Sequence, residues 1–163
     1  MEFFFILCYG ILMAAKVVNA VSILVADDDA QDTMLVQMAV ERACLNLRLE
    51  SVKDGEEAIN YLMGRERYAD RNAHPFPSMM LLDLKMPRVN GFDVLDYVRR
   101  QPGLRQLPIV IFSSSDDPKD IRRAYDAGAN SYLCKPHSHG DLSALLKALE
   151  DYWFKFNHFP PCH

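Results

Sequence analysis

Residues 79–91 read MMLLDLKMPRVNG: four apolar residues in succession, an acid, and a short mixed run that opens an amphipathic stretch from Phe92 to Arg100. An unbroken apolar run of this length suits a strand buried on both faces, the environment of a central strand in a parallel sheet. Two more runs share that character, Ser22 to Ala26 (SILVA) and Ile109 to Phe112 (IVIF), while Leu47 to Val52 and Ser131 to Leu133 complete a set of five short strands. Helical patterns follow each strand, at about Gln31 to Ala43, Glu56 to Met63, Phe92 to Arg100, Lys119 to Ala127 and Asp141 to Phe156. Five βα units in series predict an α/β fold with a parallel sheet covered by helices on both faces.

The punctuation agrees with this division. Asp117 before Pro118 offers a helix cap and a rigid first turn, and Gly128 closes the fourth helix where a left-handed residue costs little. The last helix carries Leu142, Leu145, Leu146, Leu149, Trp153 and Phe156 at helical spacing, which reads as a core-facing stripe. Residues 64–78 (GRERYADRNAHPFPS) form a long polar connection between the second helix and the third strand.

With 163 residues, half of them hydrophobic and a quarter charged, the chain has the balance of one ordinary globular domain. Such a chain buries roughly 70% of its unfolded surface and needs no metal or disulfide to fold. A net charge of -4 without a basic stripe argues against a nucleic-acid partner. Cys8, Cys44, Cys134 and Cys162 form no C-x-x-C pair, so neither a zinc site nor a dithiol redox site is indicated. Cys44 and Cys134 lie in apolar stretches and read as small core residues, a usage that fits a reducing compartment.

Residues 1–20 (MEFFFILCYGILMAAKVVNA) form an apolar N-terminal extension with three readings. A signal peptide has a plausible small-residue site at Val18-Asn19-Ala20, but Glu2 stands where a basic residue is expected. A membrane span is interrupted by Lys16 and is short. A start at Met13 would begin a normal chain shortly before the first strand. The expected organisation is this extension, a domain over residues 21–156, and a tail over 157–163. With the sequence ending soon after the fifth helix, no separate DNA-binding or catalytic effector domain is expected.

In open parallel sheets, ligands collect outside the carboxyl ends of the strands, near the point where strand order reverses. Asp27, Asp28 and Asp29 follow the first strand, Asp83 ends the third, Ser113 ends the fourth and Lys135 follows the fifth. All therefore map to one edge. Carboxylates crowded there repel one another unless a cation compensates. Magnesium accepts a few carboxylates together with waters and phosphate oxygens, so Asp27 or Asp28 with Asp83, and a backbone carbonyl near Lys85, form a candidate metal set. Asp29 stands just before a helix and reads as its cap. Asp83 is then a candidate phosphoryl acceptor, with Lys135 as the fixed positive charge and Ser113 as a hydroxyl donor to a phosphoryl oxygen.

Four separated motifs, VADDD (25–29), LLDLKMPRVNG (81–91), PIVIFSSSD (108–116) and GANSYLCKP (128–136), together resemble the receiver family of two-component response regulators. The resemblance covers about Ser22 to Phe156. It implies a flavodoxin-like (βα)5 sandwich with strand order 2-1-3-4-5 and phosphorylation of Asp83 by a sensor histidine kinase. It also implies Mg2+ or Mn2+ held by Asp27, Asp28, Asp83 and the Lys85 carbonyl. Ser113 and Tyr132 are implied as switch residues, Lys135 as the family lysine, and Lys135–Pro136 as a cis peptide. A cytoplasmic signalling switch that is not an enzyme in the ordinary sense follows from the same resemblance.

The long connection after the second helix and the aromatic segment DYWFKFNHFPP (151–161) are similar to stand-alone regulators that partner phytochrome-type kinases. That likeness implies a homodimer formed through the last helices and the aromatic tail, residue kinds enriched at interfaces; the alternative is a tail folded back on its own domain. Lys85 departs from the neutral residue many receivers carry there, which leaves the lifetime of the phosphorylated state open. Two rival functions compete. A magnesium phosphohydrolase with an aspartate nucleophile would use Asp27 and Asp29 as a D-x-D pair; a pseudo-receiver would keep the fold and accept no phosphate.

Overall fold

The computed structural model describes residues 21–136 and 138–159, so the N-terminal extension lies outside the described residues. Five strands, Val21–Ala26 (β1), Leu47–Val52 (β2), Met79–Leu82 (β3), Ile109–Ser113 (β4) and Ser131–Cys134 (β5), form one parallel sheet in the order β2-β1-β3-β4-β5. Five helices alternate with them: Ala30–Arg42 (α1), Gly55–Met63 (α2), Gly91–Arg100 (α3), Pro118–Asp126 (α4) and His139–Glu150 (α5). The flavodoxin-like order read from the resemblance is the order observed.

Period-two alternation divides each central strand between two cores. Leu24, Ala26, Met80, Leu82, Ile109 and Ile111 face α2, α3 and α4, where Ala58, Tyr61, Leu95, Val98 and Ala124 pack against them. Ile23, Val25, Met79, Leu81, Val110 and Phe112 face Val36, Ala39 and Val40 of α1 and Leu142, Leu146 and Leu149 of α5. β1, β3 and β4 are therefore buried on both sides, which is why their sequences are continuous apolar runs.

The caps follow the chemistry expected of them. Asp29 accepts from the Gln31 amide at 2.7 Å to start α1, and Asp117 accepts from Lys119 at 2.8 Å ahead of Pro118 in α4. Gly128, with φ +95°, follows the end of α4. The 64–78 connection is packed rather than loose. It contains a 3-10 turn at Glu66–Tyr68, and Tyr68 and His74 meet the Tyr61 ring at centroid distances of 5.0 and 5.9 Å. Arg71 donates to the carbonyls of Tyr61 and Leu62 at 2.8 Å, satisfying the end of α2.

Three expectations need correction. Cys44 and Cys134 are exposed: Cys44 adopts φ +51° just after α1, and Cys134 is the last residue of an edge strand. The last helix begins at His139, and its final stretch, Asp151–Phe156, winds as a π-helix. The wider turn carries Phe156 off the core-facing stripe, leaving it 74% exposed, whereas Trp153 stays packed against the core.

Candidate functional site

The strand register builds the site. Ala26 of β1 lies beside Leu82 of β3, Leu82 beside Ile111 of β4, and Ile111 beside Tyr132 of β5. The residues just beyond these rungs emerge together at the carboxyl edge, on both sides of the β1–β3 junction where the strand order reverses. Backbone bonds fix the two central acids. The Asp83 amide donates to the Ala26 carbonyl at 2.9 Å, and the Asp27 amide donates to the Val52 carbonyl at 3.0 Å.

Carboxylate oxygens of Asp27, Asp28 and Asp83 lie within 4.8 Å of one another; Asp27 and Asp83 are buried and Asp28 is exposed. Lys135 enters from the far end of β5, its amide donating to the Ser113 carbonyl at 2.9 Å. Its Nζ lies 2.8 Å from Asp27 Oδ2, 2.7 Å from Asp32 Oδ2 and 3.4 Å from Asp83 Oδ2. Burial pushes the Asp27 carboxyl above its usual range, while the Lys135 ammonium and the Asp29 amide pull the other way. Burial opposes the charge on Lys135, but hydrogen bonds to Asp27 and Asp32 outweigh it and raise its pKa.

Asp83 Oδ1 is buried and has no hydrogen-bond partner among the described residues. A buried carboxylate oxygen in that state is costly unless something else meets it. The donor set is all oxygen and carries three carboxylates, the chemistry that suits Mg2+ or Mn2+ and not a thiolate- or imidazole-seeking metal. The residues therefore fit the implied cation. Lys85, whose carbonyl was expected to add a ligand, lies two residues beyond Asp83 with its side chain exposed.

Ser113 is fully buried at the end of β4, and its hydroxyl faces the Ser115 amide at 3.4 Å. Tyr132 is half-buried, and its hydroxyl donates to the Ser115 carbonyl at 2.9 Å. Burial raises the Tyr132 pKa, so the group remains a phenol donor near neutral pH. Ser115 also donates to Asp120 Oδ2 at 2.7 Å, tying the β4–α4 loop to the first turn of α4.

The Lys135–Pro136 bond departs from expectation. No cis peptide occurs among the described residues, so this bond is trans. Trans is favoured by about 0.5–1 kcal/mol for X–Pro bonds, and in this conformation the ammonium reaches all three of its carboxylate partners. Asp29 is occupied as the α1 cap, which withdraws it from the acid role that a D-x-D phosphohydrolase requires. Asp32 was not anticipated. It lies in the first turn of α1, five residues after Asp27, a position from which a helix beginning at the site edge can turn a side chain back towards it.

The response regulator receiver domain family matches residues 23–147. The chain belongs to this family. Among relatives of this receiver, the probable methanogenesis regulatory protein FilR2 of Methanothrix harundinacea is 37% identical over 138 residues, covering 85% of this chain and 86% of that protein. A phosphorylated cyanobacterial phytochrome response regulator, RcpA, is similar in structure with a TM-score of 0.78 and 30% identity, covering 86% of this chain and 98% of that one. The Mn(2+)-bound form of response regulator Rcp1, of Synechocystis, gives a TM-score of 0.74 at 28% identity, covering 86% and 99%. The chain is thus a two-component response-regulator receiver domain close to the phytochrome response regulators, and neither rival function is favoured.

The receiver site leans on Gly91. A Cβ built there would lie 2.2 Å from the Asp83 carbonyl oxygen and 2.8 Å from the Leu84 Cα. The Gly91 amide also donates to the Leu84 carbonyl at 3.1 Å, so α3 starts in direct contact with the backbone that carries Asp83. Gly91→Ala should cost about 1–3 kcal/mol through overpacking against backbone that cannot give. Urea denaturation measures it; a loss below about 0.5 kcal/mol means that the loop yields freely and does not hold Asp83 in place.

Proposed function

We propose that Asp83 accepts a phosphoryl group from the phosphohistidine of a sensor histidine kinase, and that the resulting change at the β4–α4 and β5 surface signals to a protein partner. The observation that carries this reading is the meeting of the Asp27, Asp28 and Asp83 oxygens beside the Lys135 ammonium, with Asp83 Oδ1 unpartnered among the described residues. Asp27, Asp28, Asp83 and the Lys85 carbonyl would hold Mg2+, or Mn2+ as in the form described for Rcp1. The bound cation supplies positive charge that screens the carboxylates from the incoming phosphoryl oxygens.

The chain's own groups do the remainder. One carboxylate oxygen of Asp83 forms the new O–P bond as the P–N bond of the donor breaks. Lys135 stands ready to neutralise a phosphoryl oxygen, and the Ser113 hydroxyl donates to another. Phosphorylation adds about -1.5 to -2 charges and new acceptor oxygens. Ser113 then turns towards the phosphoryl group, and Tyr132 settles into the space beside the β4–α4 loop. A surface with two packings of similar energy is biased by this one local change.

The cytoplasm is the expected place of action; among the described residues, no helix is long and apolar enough to cross a membrane. A phytochrome-type kinase is the expected donor, on the likeness to regulators so described. Self-catalysed acceptance and slow self-dephosphorylation are the only chemistry expected. The aromatic end supports a homodimer. Tyr152 and Phe156 are 57% and 74% exposed, beside a cluster in which Phe159 stacks on Trp153 at 6.3 Å and meets Phe154 at 5.9 Å.

Incubation with acetyl phosphate and Mg2+ should add one phosphoryl group by intact-mass measurement in wild type and none in Asp83→Asn; equal addition to both removes Asp83 from the role. Tyr132→Ala should accept phosphate at a near-wild-type level while its amide exchange in α4 and β5 no longer responds to phosphorylation. An unchanged response would show that the tyrosine is a bystander. Phe156→Glu should shift the protein from dimer to monomer in light scattering at micromolar concentration, and a wild type that is already monomeric there ends the dimer reading.

A further inference from the structure

The Lys135 ammonium has three donors and three carboxylate partners. Two of them, Asp27 and Asp83, also belong to the group of oxygens that converge within 4.8 Å of one another; Asp32 does not. The Asp32 side chain is one-third exposed at the rim, on a different element from the other two acids, yet makes the shortest of the three contacts at 2.7 Å. The lysine stem is anchored where its amide bonds Ser113, and the ammonium passes 5.9 Å from the Phe112 ring centroid. From this one position its Nζ is in reach of all three acids at once.

These contacts create a competition. A divalent cation drawing on Asp27 and Asp83 repels an ammonium that lies 2.8 Å and 3.4 Å from the same carboxylates. The lysine must yield both, and leaving it unpaired in a half-buried place is costly. Only Asp32, among its three carboxylate partners, is independent of the cation.

Resting on the cation reading above, we propose that Asp32 is a positioning residue: it receives the Lys135 ammonium when a divalent cation takes Asp27 and Asp83, so that both positive charges occupy the pocket together and the lysine waits at its rim. Without Asp32, the ammonium stays on Asp27 and Asp83 and competes with the cation.

The test is a double-mutant cycle on Mn2+ affinity, measured by titration calorimetry or by the paramagnetic resonance of free Mn2+, without any phosphoryl donor. Asp32→Asn should weaken Mn2+ binding about five-fold, a coupling within the usual range for contacting groups. In a Lys135→Met background the same substitution should change affinity by less than about two-fold. Asp32→Glu should restore much of the lost affinity in the wild-type background, and Asp32→Ser serves as a second uncharged variant if Asp32→Asn folds poorly. Equal weakening in both backgrounds would mean that Asp32 acts only as a distant negative charge and would overturn the proposal, as would no weakening in the wild-type background. A wild-type protein that binds no Mn2+ instead overturns the cation reading on which the proposal stands.

Discussion

One ammonium group holds the carboxyl edge of the sheet together. Asp27 and Asp83 are buried, close to each other, and held at the sheet edge by their backbone amides. Two such carboxylates could not both remain charged there without a counter-charge. Lys135 supplies it from the opposite end of the topology, across β4, and the parallel order of the strands makes that reach possible. The same arrangement is unbalanced by design: three carboxylates at one lysine, with a fourth, Asp28, alongside, leave the pocket net negative and receptive to further positive charge. A divalent cation would answer the same need for neutralisation that Lys135 meets in part.

The loop after β3 is fixed from two sides. Gly91 lies against the Asp83 carbonyl from the α3 side. From the α2 side, Gly55 touches the Val89 carbonyl so closely that a Cβ there would lie 2.3 Å from it. The fully buried Asp54 caps α2 through the Glu57 amide at 2.8 Å and pairs with the Arg88 guanidinium. Arg88 itself holds φ +64°, a conformation uncommon outside glycine, so the ion pair and the close packing together sustain a backbone shape the residue would not choose alone. This bracing flanks Lys85 and Met86, the stretch that directly follows Asp83 and Leu84.

Most of the fold was legible because its signals are local and redundant. Strand limits in the sequence agree with the structure to within a residue, since both-face burial imposes continuous apolar runs on β1, β3 and β4. Asp27, Asp28, Asp83, Ser113 and Lys135 were legible for a topological reason: each follows or ends a parallel strand, so each had to reach the same edge. What escaped was set by side-chain direction and by tertiary partners. Asp32 sits inside a helix, where an acid near the N-terminus is ordinarily explained by the helix dipole. Arg99 resembles any basic residue in a last helical turn, yet it is half-buried and donates to the carbonyls of Gly128 and Leu107 and to the Asn130 side chain. The exposure of Cys44 and Cys134 depends on a left-handed backbone and on which strand is an edge, neither of which composition reveals.

A short series of hydrogen bonds joins the end of β4 to β5 and to the start of α4. Ser113 and Ser115 share a contact through the Ser115 amide, the Ser115 carbonyl receives Tyr132, and the Ser115 hydroxyl holds Asp120 at the start of α4. On the proposed reading, a rotation of the Ser113 hydroxyl towards Asp83 would withdraw one acceptor from this loop. Because Tyr132 and Asp120 are attached to the same residue, β5 and α4 would respond together, without a separate relay for each. Coupling of this kind would require the loop to have two hydrogen-bonded arrangements of comparable energy, and Ser115, which contacts β4, β5 and α4 through its amide, carbonyl and hydroxyl, is where those contacts converge.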